Sequence, residues 1–177
     1  MALLLRAFVR LARYNRWMNE RLHEKAACLS DAERRLDRGA FFKSIHGTCN
    51  HLILGDRLWI THWAAQSLLP AVPAVLRLDD IEGLDAELYA DFGAMRAARR
   101  DLDDWLVAAL DSADGSLLER ESVERWPDGR VIRRPCWIEL QHLFNHQTHH
   151  RGQLTALLMQ AGIDPGVTDI VALPDDA

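Results

Sequence analysis

Apolar residues recur every three or four positions along four long stretches of the chain, a spacing that lines them up on one face of an α-helix. We therefore predict four long helices: Ala2 to about Leu29, about Ser44 to Gln66, about Leu84 to Leu110, and about Trp137 to Gln160. A four-helix bundle is the natural way for four such helices to share one core.

The segments between these helices carry their own signals. The run Ser30-Asp31-Ala32-Glu33 has the form of a capping box and predicts a short additional turn of helix. Gly162 follows the fourth long helix, where a glycine commonly ends a helix. Residues 68–83 contain prolines and are irregular, so we predict a long crossover there.

A hairpin signal lies between the third and fourth helices. The run Pro127-Asp128-Gly129 separates two short stretches, 118–126 and 130–134. An Asp-Gly pair flanked by alternating residues predicts a small β-hairpin, or at least a tight turn. We expect an extended cover strand or a loop after Asp164. The predicted fold class is therefore all-α, a four-helix bundle with a small β-hairpin, in a single domain over residues 1–177.

Composition limits the classes of function. The 177 residues are 49% hydrophobic and 27% charged, which is typical of globular proteins. The net charge is −5 and the arginines are scattered among acids, so nucleic acid is not an expected partner. No uncharged run approaches the roughly 20 residues that cross a membrane. The cysteines, Cys28, Cys49 and Cys136, form no Cys-x-x-Cys pair, which favours reduced thiols and a cytoplasmic protein.

Histidines are concentrated in the last helix. Four of the eight lie in one nine-residue stretch: His142, His146, His149 and His150. Residues four apart on a helix have Cβ atoms about 5–6 Å apart, so two imidazoles can reach one ion. Helix geometry permits three pairings: His142 with His146, His146 with His150, and His146 with His149.

A third ligand could come from the second helix, which carries His46, His51 and His62. His46 and His51 point roughly 140° apart around the helix axis, so at most one of them faces the site. His51 and His62 share a face but lie roughly 16 Å apart along the axis, so they cannot bind the same ion. We expect His23 and His62 at the surface and assign them no role.

Three blocks of sequence carry a resemblance to a known protein family. The first is Leu143-Phe-Asn-His-Gln-Thr-His-His-Arg-Gly-Gln-Leu154, which looks like the family signature. The second is Ser44-Ile-His-Gly-Thr-Cys-Asn-His-Leu-Ile53, and the third is Ala12-Arg-Tyr-Asn-Arg-Trp-Met-Asn-Glu-Arg-Leu22. The blocks occur in the expected order, together span most of the chain, and resemble those of the DinB/YfiT-like family.

This resemblance implies a metal site. Members are four-helix bundles, frequently homodimeric, which bind a divalent metal through one histidine of the second helix and two of the last. The matching residues here are His51, His146 and His150. His149 then lies to the side of the site, and His142 is a neighbour one turn before it. Well-described relatives are metal-dependent thiol transferases and a thiol-dependent maleylpyruvate isomerase.

Three neutral imidazoles leave at least one metal position open for water or substrate, as in catalytic sites. A metal held in this way lowers the pKa of bound water or of a thiol, and zinc and nickel both suit imidazole ligands. We therefore predict a divalent-metal-dependent enzyme acting on a small molecule, either a transferase that uses a low-molecular-weight thiol or a hydrolase. The alternative is a non-catalytic metal-binding or stress-related bundle.

Several residues near the histidines have predicted supporting roles. Asp56, Glu139 and Gln147 are candidate partners for histidine N–H groups. Arg151 either contacts an anionic substrate or packs between helices, and Gln153 is expected to line the pocket. Cys49 lies about 200° around the helix from His51 and is expected to be a buried, inert thiol. The six tryptophans and the apolar first helix favour a homodimer.

Overall fold

Four long helices make up most of the computed structural model, which describes residues 2–70, 72–78, 83–126 and 128–175. Its α-helices are α1 (Ala2–Ala27), α2 (Asp31–Arg35), α3 (Ile45–Ala65), α4 (Phe92–Asp111) and α5 (Cys136–Gln160). The long helices pack in the pairs α1–α4, α3–α5, α1–α5 and α3–α4, so each contacts two others. Their apolar faces meet in one core, which includes Leu22, Ile53, Leu102 and Leu154. The predicted four-helix bundle is confirmed.

Local capping explains where several helices begin and end. Ser30 and Glu33 form the predicted capping box, because each side chain accepts a hydrogen bond from the other residue's backbone N–H. The Ser44 hydroxyl accepts from the Gly47 N–H at 3.0 Å and caps α3. Gly162 follows α5 at φ +79°, a left-handed conformation that glycine adopts without steric cost.

The third long helix begins later than predicted. The expected start at about Leu84 was wrong, because α4 begins at Phe92. Asp91 is its N-cap, and the Asp91 carboxylate accepts a hydrogen bond from the Ala94 N–H at 2.7 Å. The carboxylate satisfies a backbone donor that has no partner within the helix, so the helix can begin at this point.

The segment before α4 is a loop, since its backbone groups pair with side chains of α3. The Tyr89 N–H donates to the Asn50 side-chain oxygen at 2.9 Å, and the Tyr89 carbonyl accepts from the Asn50 amide at 3.1 Å. The Leu84 carbonyl accepts from His51 at 2.8 Å. These hydrogen bonds compete with helix formation and hold the loop against the middle of α3.

The predicted β-hairpin is present between α4 and α5. Strands β1 (Glu121–Arg125) and β2 (Val131–Pro135) pair in antiparallel register. The hairpin contacts α3, because the Val123 N–H donates to the Gln66 side chain at 2.7 Å and the buried Ser122 hydroxyl lies 2.9 Å from His62. His62 is therefore half-buried in this contact rather than fully at the surface.

The remaining connections are irregular, as predicted. The crossover after α3 includes a 3₁₀ turn, Ala74–Leu76, and the tail after Asp164 is a loop with a 3₁₀ turn, Ile170–Ala172. Residues 71 and 79–82 of the predicted crossover and Pro127 of the predicted turn lie outside the described residues. Within the described ranges, none of the helices combines the length and apolar character needed to cross a lipid bilayer.

A buried polar network crosses the centre of the bundle. The Arg99 guanidinium on α4 forms ion pairs of 2.8 Å with Asp103 on the same helix and with Asp56 on α3. Asp103 also accepts hydrogen bonds from Asn15 and Asn19 on α1, at 3.0 and 3.1 Å. Asp56 was predicted to support a histidine, but its carboxylate is paired with Arg99 instead.

Arg151 extends this network to α5. Its guanidinium donates to the Asn15 side-chain oxygen and, at 3.3 Å, to the Gln147 side-chain oxygen. The side chain is buried. Of the two predicted roles for Arg151, the structure therefore shows packing between helices rather than exposure to a substrate. With this contact the network touches all four long helices.

His23 on α1 is buried, so the prediction that it lies at the surface was wrong. Only 3% of the residue is exposed, and its ring lies 5.8 Å from the Phe92 ring. Burial, together with the nearby positive charges of Arg99 and Arg96, lowers the pKa of His23 from 6.5 to about 3. The imidazole is therefore neutral in the folded protein at neutral pH.

This burial predicts a pH dependence of stability. Above pH 6.5 the His23 imidazole is neutral in both states, and its contribution to stability is fully present. As the pH falls from 6.5 towards about 3, the unfolded chain takes up a proton that the folded chain does not. The free energy of unfolding should then decrease, by up to about 1.4 kcal/mol per pH unit from this residue.

Urea unfolding of the metal-free protein at several pH values should measure this effect. His23→Gln should flatten the decrease relative to wild type, whereas His149→Gln, which replaces an exposed histidine, should not. Parallel pH profiles for wild type and His23→Gln would contradict the prediction.

Candidate metal centre

Three histidines from two adjacent helices meet at one point. His51 lies on α3, and His146 and His150 lie one turn apart on α5. One ring nitrogen from each lies within 4.8 Å of the others. The Nε2 atoms of His51 and His146 are 3.0 Å apart. The three centroid-to-centroid distances between the rings are 4.4–5.0 Å.

Hydrogen bonds at Nδ1 fix the orientation of two of these rings. The Nδ1–H of His51 donates to the Leu84 carbonyl at 2.8 Å. The Nδ1 of His150 lies 2.9 Å from the Gln153 side-chain oxygen, to which its N–H donates. A neutral imidazole with its proton on Nδ1 carries a lone pair on Nε2. Both rings are therefore held in the tautomer that a metal ligand requires.

The predicted partners of the histidine N–H groups lie elsewhere. Glu139 accepts a hydrogen bond from Trp63 at 2.8 Å and lies 3.7 Å from His62. The Gln147 amide donates to the Leu52 carbonyl at 3.4 Å. No sequence signal indicated the Leu84 carbonyl as a partner, because it belongs to the segment that was predicted to be helical.

Burial keeps the three imidazoles neutral. It lowers the pKa of His146 to about 3, and the neighbouring His150 and His51 lower it further in the same direction. Burial also lowers the pKa of His51 and of His150. Neutral imidazole is the form that binds a metal ion, so no proton has to be removed from these rings at neutral pH.

The spacing of the His51 and His146 nitrogens fits a first-row divalent ion. Tetrahedral coordination with Zn–N bonds of about 2.0–2.1 Å places neighbouring nitrogens about 3.3 Å apart. The 3.0 Å between His51 and His146 is close to this value. Two Nε2 lone pairs at that distance repel each other unless a proton or a cation lies between them. The donor set and its spacing therefore match a divalent metal ion.

Gly55 allows α3 to approach α5 closely at the centre. No role was assigned to this glycine from the sequence. A Cβ atom at position 55 would lie 2.9 Å from Cε1 of His146, closer than ordinary van der Waals contact. Gly55 follows His51 by one helical turn, so both face α5. An isolated glycine within an apolar helix often marks close approach, which was the available signal.

The other histidines lie outside the cluster. His142 and His149 are exposed on α5, and His142 has its ring 6.0 Å from that of His146. His46 contacts the Tyr89 carbonyl at 3.0 Å on another face of α3. Of the three pairings that helix geometry permits, the structure places His146 and His150 together with His51.

Cys49 has the environment predicted for an inert thiol. It is fully buried, and burial raises its pKa to about 12. Burial also raises the pKa of Cys136 to about 12. Thiolate is the reactive form of cysteine, so neither side chain is a nucleophile at neutral pH.

Comparison with known proteins gives two matches. The model of the DinB family matches residues 4–177. The chain is also similar to Protein DinB of Bacillus subtilis (strain 168), with 26% identity over 161 residues that cover 90% of this chain and 89% of that protein. No solved structure gives a significant match.

The close approach at Gly55 predicts a specific sensitivity. In Gly55→Ala the new methyl group should displace the His146 ring and weaken zinc binding by at least about tenfold, a loss of about 1.4 kcal/mol. Isothermal titration with zinc measures the affinity. Gly152→Ala is the matched control, because a Cβ atom at this α5 position has no heavy atom within 4 Å. Equal zinc affinities of the two variants would contradict the prediction.

Proposed function

The chain belongs to the DinB family, and on this premise we propose that it binds one divalent metal ion through His51, His146 and His150 and uses it to catalyse a reaction of a small molecule. The observation that carries the proposal is the convergence of these three imidazoles, two of which are held by hydrogen bonds at Nδ1. Zinc and nickel are the ions we propose, since both suit three imidazole ligands.

Three protein ligands favour a catalytic centre over a purely structural one, because structural zinc sites usually have four. A bound divalent ion supplies Lewis acidity and lowers the pKa of water or of a thiol at the open position. The protein's own groups prepare the ligands: the Leu84 carbonyl and the Gln153 side chain orient His51 and His150. Burial keeps both imidazoles neutral.

The thiol environment favours an external nucleophile. Cys49 and Cys136 are buried with raised pKa values, and Cys28 is an exposed residue just after α1. None of them belongs to the histidine cluster. A thiol that reacts at this centre would therefore enter as a small molecule. We accordingly propose a transferase that uses a low-molecular-weight thiol. The three free cysteines agree with the cytoplasmic location that we also propose.

Metal analysis of the purified protein tests the metal site. We expect about one divalent ion per chain after dialysis. Alanine in place of His51, His146 or His150 should abolish most of that binding, because each loss leaves an incomplete ligand set. His142→Ala and His149→Ala are the controls and should retain the ion under saturating conditions, since loss of a neighbouring group costs about 10–100-fold in affinity.

Retention of the ion by His150→Ala, with its loss from His142→Ala, would show that the ligand pair on α5 is His142 with His146. A wild-type protein without any bound ion, even after incubation with zinc and nickel, would overturn the proposal.

We also propose that the protein is a homodimer. Leu3 and Leu4 at the start of α1 are exposed, and an apolar helix end in water favours association. The tryptophans support this less than predicted, because five of the six are at least partly buried within the chain and Trp126 is the exposed one.

Sedimentation equilibrium at micromolar concentration should give twice the mass of one chain. Substitution of Leu3 and Leu4 by Gln should give the monomer mass without loss of metal, and a wild-type monomer would contradict the proposal.

A further inference from the structure

Phe42 lies directly against the histidine cluster. Its ring stacks on the His51 imidazole, with ring centroids 3.7 Å apart and an interplanar angle of 17°. It also meets the His150 ring edge-on at 5.4 Å. Phe42 is 8% exposed although it lies in a loop, whereas the preceding Phe41 is 82% exposed. Of these two adjacent phenylalanines, one borders the centre and the other points to solvent.

The loop before α3 holds Phe42 in this position. The Lys43 N–H donates to the Ala40 carbonyl, and the Lys43 carbonyl accepts from the Arg38 N–H, both at 2.8 Å. Lys43 has φ +63°, a left-handed conformation that is uncommon for a residue with a side chain. Such strain persists where the surrounding structure enforces it, often at functional sites.

A glycine on α3 lets this loop come close. A Cβ atom on Gly47 would lie only 2.3 Å from the Phe42 carbonyl oxygen, so any other residue at position 47 would push the loop outwards. The backbone of Phe42 is therefore packed closely against α3, and this contact holds the ring in position.

The Phe42 ring also lines a surface cavity of about 280 Å³. The walls of this cavity include Phe41, His46 and Asn50, but none of the three clustered histidines. Phe42 is thus shared between the cavity and the histidine cluster. A ligand that reaches the cluster from this cavity has to pass the Phe42 ring or displace it.

We propose that Phe42 is a specificity-determining residue of the centre. Its ring admits small thiols to the open metal position and excludes bulky ones. This inference rests on the proposed metal-dependent function. An aromatic ring contacts thiol sulfur and a short alkyl chain favourably, with a sulfur–aromatic contact contributing about 0.3–1.5 kcal/mol. The same ring lies between the cavity and the cluster, so a larger substituent on a thiol that enters from the cavity would meet it.

Cobalt-loaded protein provides the test, because coordination of a thiolate changes its visible absorption spectrum. The probes are 2-mercaptoethanol and benzyl mercaptan, titrated into wild type, Phe42→Ala, Phe42→Leu and Trp126→Ala. We expect Phe42→Ala to raise the affinity for benzyl mercaptan relative to 2-mercaptoethanol by about tenfold, as is common when a pocket is enlarged. Phe42→Leu should lie between wild type and Phe42→Ala, and the control Trp126→Ala, which removes an exposed aromatic ring outside the cavity, should keep the wild-type ratio.

A second measurement follows access to the ion itself. EDTA should remove cobalt faster from Phe42→Ala than from wild type and Trp126→Ala. If Phe42 only held the His51 ring in place, its substitution would change the cobalt affinity and both thiol affinities together. The ratio of the two thiol affinities would then stay the same. An unchanged ratio in both Phe42 variants would overturn the inference.

The two proposals fail in different ways. A wild-type protein that takes up no cobalt overturns the proposed function, and with it the role of Phe42. A wild-type protein that binds cobalt and thiols normally, with the same thiol preference in the Phe42 variants, overturns the role of Phe42 alone. Phe42→Leu keeps an apolar side chain at this position, so the test does not depend on whether Phe42→Ala folds.

Discussion

The pairing of Arg99 with Asp56 and Asp103 is the interaction on which the arrangement of the helices depends. These charges are buried, and a buried charge without a partner is strongly destabilising. Removal of one partner from such a pair typically costs about 3–5 kcal/mol, a large part of the stability of a domain. Apolar packing tolerates small shifts of one helix along another, whereas these ion pairs are made only in one register.

That register also brings the histidines together. Asp56 follows Gly55, the residue that α3 presents to His146, and Arg151 directly follows His150 on α5. Both charged residues belong to the buried network, so the network fixes the positions of α3 and α5 next to the metal centre. The loop before α4 then supplies the Leu84 carbonyl for His51. The centre therefore depends on tertiary contacts of α3 with two elements, α5 and the loop before α4.

The sequence predicted those features that depend on local patterns. Helical periodicity predicted the long helices, and the Asp-Gly pair predicted the hairpin. The predicted start of α4 was wrong because the loop before this helix is hydrogen-bonded by Asn50, which lies about 40 residues earlier in the chain. The burial of His23 and the pairing of Asp56 with Arg99 were missed for the same reason. Helix geometry left three histidine pairs open, and the family resemblance selected the one that the structure brings together. Phe42 had no signal in the sequence, because its contact with His51 depends on the path of a loop.

The distance between the clustered histidines along the chain determines when the centre can form during synthesis. His51 and His146 are 95 positions apart, and His150 comes later still. Until the ribosome has produced α5, the nascent polypeptide holds His51 without either companion. Coordination of one ion by all three histidines would therefore have to follow the translation of α5 and its docking against α3. Any ion that the centre holds would then close a long loop of the chain and slow its unfolding.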